Sequence, residues 1–413
     1  MKSNRTSGGI QVGPLLRSGL SSSVRFSGKL RPARRAGPTF AGLAGAAAFA
    51  CALLFTPRAR AIDTFVYFGS HRAGPNIGFS LAHFDTDTGV LTKPQFLLEA
   101  RAPAFFVIAP DGRHLYTCNS GDPGGVAAYA IDPHTGGLTY LNRELAGGGD
   151  TSYISLDKTA RFALAANYNG GNLAVFALKS DGSLGDWTAF DQHTGKGVNP
   201  QRQTHAYAHS IITSPDNRFA LCADLGVDKV YVYHFDEKTG ALRPNTPPSV
   251  SVAPGSGARH VKFHPNGRWV YLINEIGSTV IGFDWDAAKG TLTEFQTIST
   301  LPADFKGTST CAEMEIHPNG KFLYGSNRGD DSLAVFAIDP ANGHLSLVQH
   351  ISSAGKTPRN FAFDPTAKWI VCTNHGSDNA VVFAVDPDTG KLTQHGEPVS
   401  VPYPFCERFL PVR

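Results

Sequence analysis

The sequence predicts an all-β protein, a seven-bladed β-propeller whose blades each contain four strands. Two turn motifs carry this prediction, because they alternate along the chain and each recurs roughly every 50 residues. The composition agrees, since 44 glycines and 27 prolines are typical of many short strands joined by turns. Two β-sandwiches are the alternative, but they would not produce seven similar repeats.

The first motif is a polar turn that often reads Asp-Pro-x-Thr-Gly-x-Leu, as in residues 132–138. Its seven copies centre on Gly89, Gly136, Gly182, Gly240, Gly290, Gly343 and Gly390. These glycines are separated by 47, 46, 58, 50, 53 and 47 residues. Such intervals match the length of one propeller blade.

The second motif is a β-hairpin, clearest in residues 257–275, where two apolar runs flank Pro265-Asn266-Gly267. Six complete copies end in an Asn or Asp. These residues are Asn119, Asn167, Asp224, Asn274, Asn327 and Asn374. One hairpin of each kind per repeat gives four strands per blade.

The seventh hairpin is divided between the two ends of the propeller. The run Phe65-Val66-Tyr67-Phe68-Gly69-Ser70 resembles the second half of the hairpin alone, and residues 398–410 can supply the first half. We therefore expect the N- and C-terminal strands to complete one blade. Closing the ring in this way leaves no terminal repeat with an exposed edge.

Residues 1–61 differ from the rest, with ten Lys or Arg residues and no Asp or Glu. Arg34-Arg35 precede an apolar, Ala-rich run, residues 41–55, and Ala59-Arg60-Ala61 is a small-x-small cleavage pattern. We expect an export signal that is removed after Ala61. The paired arginines are compatible with the twin-arginine route. Residues 62–413 would then be a periplasmic or secreted propeller without a membrane anchor. A retained anchor is the alternative, but the apolar run is shorter than the roughly 20 residues of a span.

Charge and motifs exclude several classes of function. Without residues 1–61, 27 basic residues stand against 34 acidic ones, a formal net charge of −7 that does not favour nucleic-acid binding. The cysteines of this part fit no zinc pattern. No His-Glu-x-x-His, phosphate-loop, dinucleotide or Gly-x-Ser-x-Gly motif occurs. The sequence therefore predicts neither a metal site, nor a cofactor, nor a serine nucleophile.

The candidate site is the mouth of the central channel. The innermost strand of each blade lines this channel, so the residues that begin it and those that end the antiparallel second strand share one face. Non-repeated polar residues at these positions are the better candidates, because a repeated Asn has a repeated, structural reason. The polar residues expected here are Asn167, Tyr168, His209, Asp224, Arg259, His260, Glu275, Glu313, Arg328, Arg359 and His375, with Arg202 from the longest interval. For Glu313 and Arg359 a purely structural ion-pair ring is the alternative.

Arginines, a histidine and a glutamate together suit an anionic, oxygen-rich small molecule. Arg binds carboxylate or phosphate with two parallel hydrogen bonds, and His or Glu can act as a general base. Ring opening of a lactone needs an activated water and a cation for the carbonyl oxyanion. Lactone hydrolysis is therefore compatible with this set of side chains.

Residues 64–410 resemble the seven-bladed propeller lactonase family, which includes a 6-phosphogluconolactonase and the fungal carboxy-muconate lactonizing enzyme. The matching stretches include Gly257-Ala258-Arg259-His260, Asn274-Glu275, Ala208-His209-Ser210, Ser326-Asn327-Arg328-Gly329 and Pro358-Arg359-Asn360-Phe361. The resemblance implies catalysis by His209, Arg259, Glu275 and Arg328. It also implies substrate contacts from the other polar residues of the mouth, and either lactone hydrolysis or a muconate cycloisomerase-type reaction.

We expect metal-free hydrolysis of a sugar-acid or other acidic lactone, and the sequence leaves the oligomeric state open. Either Glu275 or His209 would activate water, while Arg259 and Arg328 would hold the acid group and the oxyanion. The alternative is a non-catalytic exported propeller that binds an anionic small molecule or a protein. A mouth in which Arg259, Glu275 and Arg328 pair with one another and leave no cavity would favour that alternative.

Overall fold

The computed structural model describes residues 63–72 and 74–412, and every regular element in them is a β-strand. The expected export signal, residues 1–61, lies outside these residues. Twenty-nine strands form seven sheets, and each sheet is an antiparallel meander, which is one propeller blade. The all-β, seven-bladed fold predicted from the repeats is confirmed.

Blade 1 contains both ends of the described chain. Its strands are β1 (Asp63–Ser70), β2 (Gly78–Asp85), β3 (Val90–Leu91), β4 (Gln95–Glu99) and the C-terminal β29 (Pro404–Pro411). Strand β29 is innermost and pairs with β1, as expected for a blade shared by the two ends. The outermost strand is broken into β3 and β4, which both pair with β2. Pro94 lies in the break, where its missing N–H would interrupt a ladder.

Blades 2, 3 and 4 are unbroken four-stranded sheets, each numbered from the innermost strand outward. Blade 2 comprises β5 (Pro103–Ile108), β6 (His114–Asn119), β7 (Gly125–Ile131) and β8 (Leu138–Leu145). Blade 3 comprises β9 (Thr151–Leu156), β10 (Phe162–Asn167), β11 (Asn172–Leu178) and β12 (Leu184–Gln192). Blade 4 comprises β13 (Ala208–Thr213), β14 (Phe219–Asp224), β15 (Lys229–Phe235) and β16 (Leu242–Ser251).

Blades 5, 6 and 7 have the same order of strands. Blade 5 comprises β17 (Ala258–Phe263), β18 (Trp269–Asn274), β19 (Thr279–Asp286) and β20 (Thr291–Ser299). Blade 6 comprises β21 (Thr310–Ile316), β22 (Phe322–Arg328), β23 (Ser332–Ile338) and β24 (Leu345–Ser352). Blade 7 comprises β25 (Pro358–Phe363), β26 (Trp369–Asn374), β27 (Asn379–Val385) and β28 (Leu392–Ser400). The innermost strands contact their neighbours around a closed ring, in which β29 contacts both β25 and β5.

The repeated glycine of the polar turn joins neighbouring blades. All seven glycines have a positive φ, between 67° and 82°, which a residue with a side chain rarely adopts. In four blades the buried hydroxyl of a tyrosine donates to the carbonyl of the next blade's glycine. These pairs are Tyr67 with Gly136, Tyr116 with Gly182, Tyr271 with Gly343 and Tyr324 with Gly390, at 2.6–2.9 Å. In these four blades the motif therefore serves the same contact with the next blade.

Candidate active site

A β-bulge opens the innermost strand of all seven blades. In each pair of innermost and second strands the register shifts by one residue near the start of the innermost strand. A bulge places two residues opposite one and changes the direction of a side chain. The bulged residues are Ala104, Ser152, His209, Arg259, the pair Ala312 and Glu313, Arg359 and Phe405.

A cavity of about 250 Å³ lies where these bulges converge. Bulged residues contribute Ala104, Ser152, His209, Arg359 and Phe405 to its lining. The position at or directly after the end of the second strand contributes His71, Ser120, Tyr168, Glu275 and Arg328. Connections between blades add Asp150 and Arg202. Two repeated backbone positions thus account for ten of the twelve lining residues.

Glu275 lies at the centre of the charged residues of this cavity. Its Oε2 atom is 3.0 Å from Arg259 Nε and 3.0 Å from Arg328 Nη2, and its Oε1 atom accepts from Arg202. The side chain is almost fully buried. Burial alone would raise the pKa of Glu275, but Arg328 and Arg259 hold it well below its usual range. Glu275 is therefore an ionised carboxylate shared by three guanidinium groups.

The three arginines around Glu275 differ in their access to the cavity. Arg259 is 2% exposed and donates to Glu275 and to the carbonyl of Ala312, so it lies beneath the carboxylate and not in the cavity lining. Arg328 lines the cavity and donates to the carbonyl of Cys311 at 2.7 Å, while its buried Nε has no hydrogen-bond partner in the described part of the chain. Arg202 comes from a loop, and its side chain is 38% exposed.

His209 lines the cavity next to Glu275. Its Nε2 atom is 3.7 Å from Glu275 Oε2, and its buried Nδ1 atom has no hydrogen-bond partner among the described residues. The rings of Tyr168 and His260 pack against it edge to face. Burial, with the charges of Arg259 and His260, lowers the pKa of His209 well below its usual value. The imidazole is therefore neutral at pH 7 and offers a free lone pair.

Arg359 forms a second cationic position in the cavity. Its guanidinium lies 4.2 Å from the ring centroid of Phe405, and it makes no hydrogen bond or ion pair with the residues that the structure describes. The His71 ring stacks on Phe405 at 4.6 Å. Burial and the nearby Arg259 lower the pKa of Arg359. The structural ion-pair ring that was the alternative for Arg359 is therefore not formed by this residue.

His260 and Glu313 lie below the cavity floor. Glu313 is fully buried, its Oε1 atom is 2.9 Å from His260 Nδ1, and its other carboxylate oxygen accepts from Asn360. Neither residue lines the cavity. Their substrate contact stays a prediction, and in this structure their polar atoms form a buried pair next to His209 and Arg259. For Glu313 the structural alternative is the better description.

Asn167 and Asp224 also differ from expectation, because both are buried and turned toward backbone. Asn167 donates to the carbonyl of Ala146 at 2.7 Å, and Asn119, Asn327 and Asn374 make the equivalent bond in their blades. Asp224 accepts from the backbone N–H groups of Tyr207 and Gly226. Both lie outside the cavity lining, and substrate contact by Asn167 and Asp224 stays a prediction. The repeated position of Asn167 reflects a repeated structural bond.

The remaining predicted residues lie at or beside the cavity. Tyr168 lines it, and its hydroxyl is 3.4 Å from Arg202 Nη2. His375 is next to the lining, where its ring packs edge to face on Phe405 at 5.0 Å. His71, Ser120, Asp150, Ser152 and Phe405 are lining residues that sequence reasoning missed. His71 and Ser120 carried a usable signal, since they hold the same place after the second strand as Glu275.

The described residues contain neither a group of metal-binding side chains nor a membrane-spanning helix. In residues 63–72 and 74–412, no three His, Cys, Asp or Glu side chains are grouped so that they could hold a metal ion. Within the same residues no helix has the length and apolar character needed to cross a membrane.

Comparison with known proteins identifies the family. Residues 65–409 match the model of "Lactonase, 7-bladed beta-propeller". A 6-phosphogluconolactonase of Bacillus subtilis is 36% identical over 345 residues, covering 83% of this chain and 97% of that protein. A 6-phosphogluconolactonase of Formosa agariphila is 31% identical over 300 residues, covering 70% of this chain and 83% of its own length.

A solved structure supports the same assignment. The Pseudomonas aeruginosa periplasmic gluconolactonase superposes with a TM-score of 0.80 at 31% identity, covering 85% of this chain and 100% of its own. The resemblance predicted from the motifs is confirmed over almost the whole propeller. This chain belongs to the seven-bladed β-propeller lactonase family.

Proposed function

We propose that this chain opens an acidic sugar lactone by hydrolysis in the central cavity, with His209 as general base. One observation carries the proposal: a neutral imidazole with an unpartnered nitrogen lies beside an ionised Glu275 in a cavity rich in arginine. A base must have a free lone pair at the working pH, and His209 meets that condition. Relatives named as lactonases share this fold over most of their length.

Glu275 is better suited to stabilising the protonated form of His209 than to taking a proton itself. Its pKa is held low by Arg328 and Arg259, so it is a weak base. Nδ1 of His209 is buried, so Nε2 is the nitrogen that can accept a proton from a water in the cavity. Nε2 lies 3.7 Å from Glu275 Oε2, where the carboxylate stabilises the imidazolium that forms.

Hydrolysis of a lactone needs one water, the base His209 and a cation for the oxyanion. Nε2 of His209 takes a proton as the water oxygen bonds to the lactone carbonyl carbon. Arg328 lines the cavity, so its guanidinium can donate to the oxyanion that develops. The bond from the carbonyl carbon to the ring oxygen then breaks, and the imidazolium returns its proton to that oxygen. The product is the open-chain hydroxy acid.

The substrate class follows from the cations that a ligand in the cavity can reach. Arg359 has no acceptor among the described residues, and Arg202 is partly exposed. A guanidinium binds a carboxylate or phosphate with two parallel hydrogen bonds. We therefore propose a sugar lactone that carries an acidic substituent. The relatives named 6-phosphogluconolactonase and the periplasmic gluconolactonase support testing phosphorylated and unphosphorylated lactones side by side.

We further propose that the protein acts outside the cytoplasm after residues 1–61 are removed. The basic N-terminal stretch, its apolar run and Ala59-Arg60-Ala61 support export. The likeness to a periplasmic gluconolactonase is in keeping with it. N-terminal sequencing of the protein recovered from the extracytoplasmic fraction tests this, with Ile62 as the expected first residue.

The test of the proposed function is a panel of lactones offered to purified residues 62–413. Proton release at constant pH is followed for phosphorylated, carboxylated and neutral sugar lactones, with heat-denatured protein to correct for spontaneous hydrolysis. We expect turnover of at least one acidic lactone, and lower KM for acidic than for neutral lactones. Binding of an acidic lactone without turnover would overturn the proposal and favour a non-catalytic propeller. The mutual pairing of Arg259, Glu275 and Arg328 favours that second function, whereas the open cavity does not.

A further inference from the structure

The connection from blade 3 to blade 4, residues 193–207, carries Arg202 to the cavity. It runs from the end of β12 to the start of β13, in the longest interval between repeats. Most of its residues are exposed, but His193 and Gln203 are buried. We call these residues the Arg202 loop. Three described arginines pair with Glu275. Arg202 comes from a connection between blades, whereas Arg259 and Arg328 belong to strands.

Both ends of the Arg202 loop are bound to one carboxylate. Oδ2 of Asp224 is 2.7 Å from Nδ1 of His193 at the first residue of the loop. Oδ1 of Asp224 accepts from the N–H of Tyr207 at 2.7 Å, at the last residue. A third bond runs from Gln203 Nε2 to the carbonyl of Leu225 at 2.8 Å. The turn that begins at Asp224 therefore fixes the loop at its start, near Arg202 and at its end.

We call the bonds of Asp224 to His193 and Tyr207 the clasp. His193 is itself enclosed by other side chains. Its Nε2 atom is 2.7 Å from the hydroxyl of Tyr233, which donates to Asp191 Oδ2 at 2.7 Å. The ring of Tyr231 stacks on His193 with centroids 3.8 Å apart. The His193 and Asp224 side chains are fully buried. A buried hydrogen-bonded chain of this kind is rigid, so it can define the path of an exposed loop.

We propose that Asp224 and His193 are positioning residues that act on the reaction through Arg202. The proposal rests on the proposed function for its consequence in catalysis, but not for its structural claim. Arg202 donates to Glu275 and reaches the Tyr168 hydroxyl from a loop that is otherwise exposed. Opening the clasp lets the loop move away and removes one cation from the cavity. Binding of an acidic lactone then weakens, while the chemistry at His209 is retained.

The structural claim is tested by trypsin, because Lys196 lies in the exposed part of the loop. Asp224→Asn and His193→Phe each remove hydrogen bonds of the clasp, and His193→Phe keeps the ring that stacks on Tyr231. Asp364→Asn is the matched control, since Asp364 is equally buried and accepts from backbone N–H groups at the other end of an innermost strand. We expect cleavage after Lys196 to be about tenfold faster in the clasp variants than in the control, as for a local opening. Equal rates would overturn the proposal, whatever the activity of the wild type.

The catalytic claim is tested by a double-mutant cycle on folded variants. If Asp224 acts through Arg202, then Asp224→Asn raises KM for an acidic lactone in the wild type and has no further effect in an Arg202→Ala background. The expected rise is about tenfold, with kcat changed less than twofold. Effects of Asp224→Asn that are the same in both backgrounds would contradict action through Arg202. A wild type that hydrolyses no lactone would refute the proposed function and leave the trypsin result to decide the clasp.

Discussion

His209 and Glu275 face each other across 3.7 Å, from Nε2 to Oε2, and come from neighbouring blades. Glu275 is also paired with two buried or nearly buried arginines, whereas the other nitrogen of His209 is unpartnered in the described chain. The arrangement separates two roles: a fixed charge and a proton acceptor. In hydrolases that pair a carboxylate with a histidine, the carboxylate likewise stabilises the imidazolium and does not take the proton.

Glu275→Gln should cost both activity and stability. The amide removes the charge that compensates Arg202, Arg259 and Arg328, and breaking a buried ion pair costs about 3–5 kcal/mol. The free energy of unfolding in urea measures this loss. Glu397→Gln, at an exposed position of β28, is the control and should change stability little. A Glu275→Gln protein as stable as the control would show that the three arginines do not depend on Glu275.

The fall of kcat/KM at acid pH should reflect protonation of His209. A general base must be unprotonated, and the pKa of His209 is lowered by burial and by Arg259 and His260. As pH falls, the base therefore stays neutral past the usual histidine value near 6.5. We expect kcat/KM to be level through pH 6.5 and to fall only at lower pH. A fall with its midpoint at or above pH 6.5 would be inconsistent with a buried His209 acting as base.

Arg359→Gln should weaken substrate binding without weakening the fold. A hydrogen bond to a charged group contributes about 1.5–3 kcal/mol, so KM for an acidic lactone should rise roughly 10- to 100-fold. KM for a neutral lactone should change little. Stability should be unchanged or higher, because Arg359 has no partner among the described residues.

The control for Arg359 is Arg268→Gln. The Arg268 guanidinium also lies over an aromatic ring, that of Trp269, but in the exposed turn between β17 and β18. Its KM for both lactones should equal that of the wild type. If Arg359→Gln raised KM by the same factor for acidic and for neutral lactones, an anion site at Arg359 would be refuted.

Glu407 predicts how stability depends on pH. Its side chain is fully buried, one carboxyl oxygen has no partner in the described residues, and burial raises its pKa to about 8. A carboxyl whose pKa is raised on folding leaves stability intact below pH 4.5 and lowers it as pH rises from there to about 8. Glu407→Gln stays neutral, and Thr373 can still donate to its oxygen.

We therefore expect Glu407→Gln to be more stable than the wild type at pH 8.5, by an amount of a few kcal/mol. The difference should shrink toward zero near pH 4.5. Urea unfolding at the two pH values measures it, with Glu397→Gln as the exposed comparison. An advantage that is equal at both pH values would contradict a raised pKa of Glu407.

The fold could be predicted because its determinants repeat. Gly136 and its six counterparts share the same turn conformation with a positive φ, so a single sequence shows the period. The broken outer strand of blade 1 was not predicted, because it depends on local features around Pro94 that occur once. Asn167 and Asp224 occupy the same place in their blades, and both lie outside the cavity lining. The backbone hydrogen bond of Asn167 recurs in other blades, whereas Asp224 accepts from the N–H of Tyr207.

The site was predicted in part. His209, Glu275, Arg328, Arg359, Tyr168 and Arg202 line the cavity as expected. Arg259 lies beneath it, because the bulge in β17 directs its guanidinium to Glu275 and Ala312. Asp150 and Phe405 were missed, since the first comes from a connection between blades and the second from the C-terminal strand that closes the ring. The direction in which a bulge turns a side chain depends on register, which alternation in the sequence does not reveal.

The central claim is that His209 takes the proton from water, and one comparison tests it most directly. The kcat of the wild type and of His209→Gln is measured by proton release, at constant pH, on the acidic lactone that the wild type turns over best. Loss of a general base typically costs 10²- to 10⁴-fold, so we expect kcat to fall by about that factor while KM changes little. A folded His209→Gln protein with the kcat of the wild type would contradict the claim.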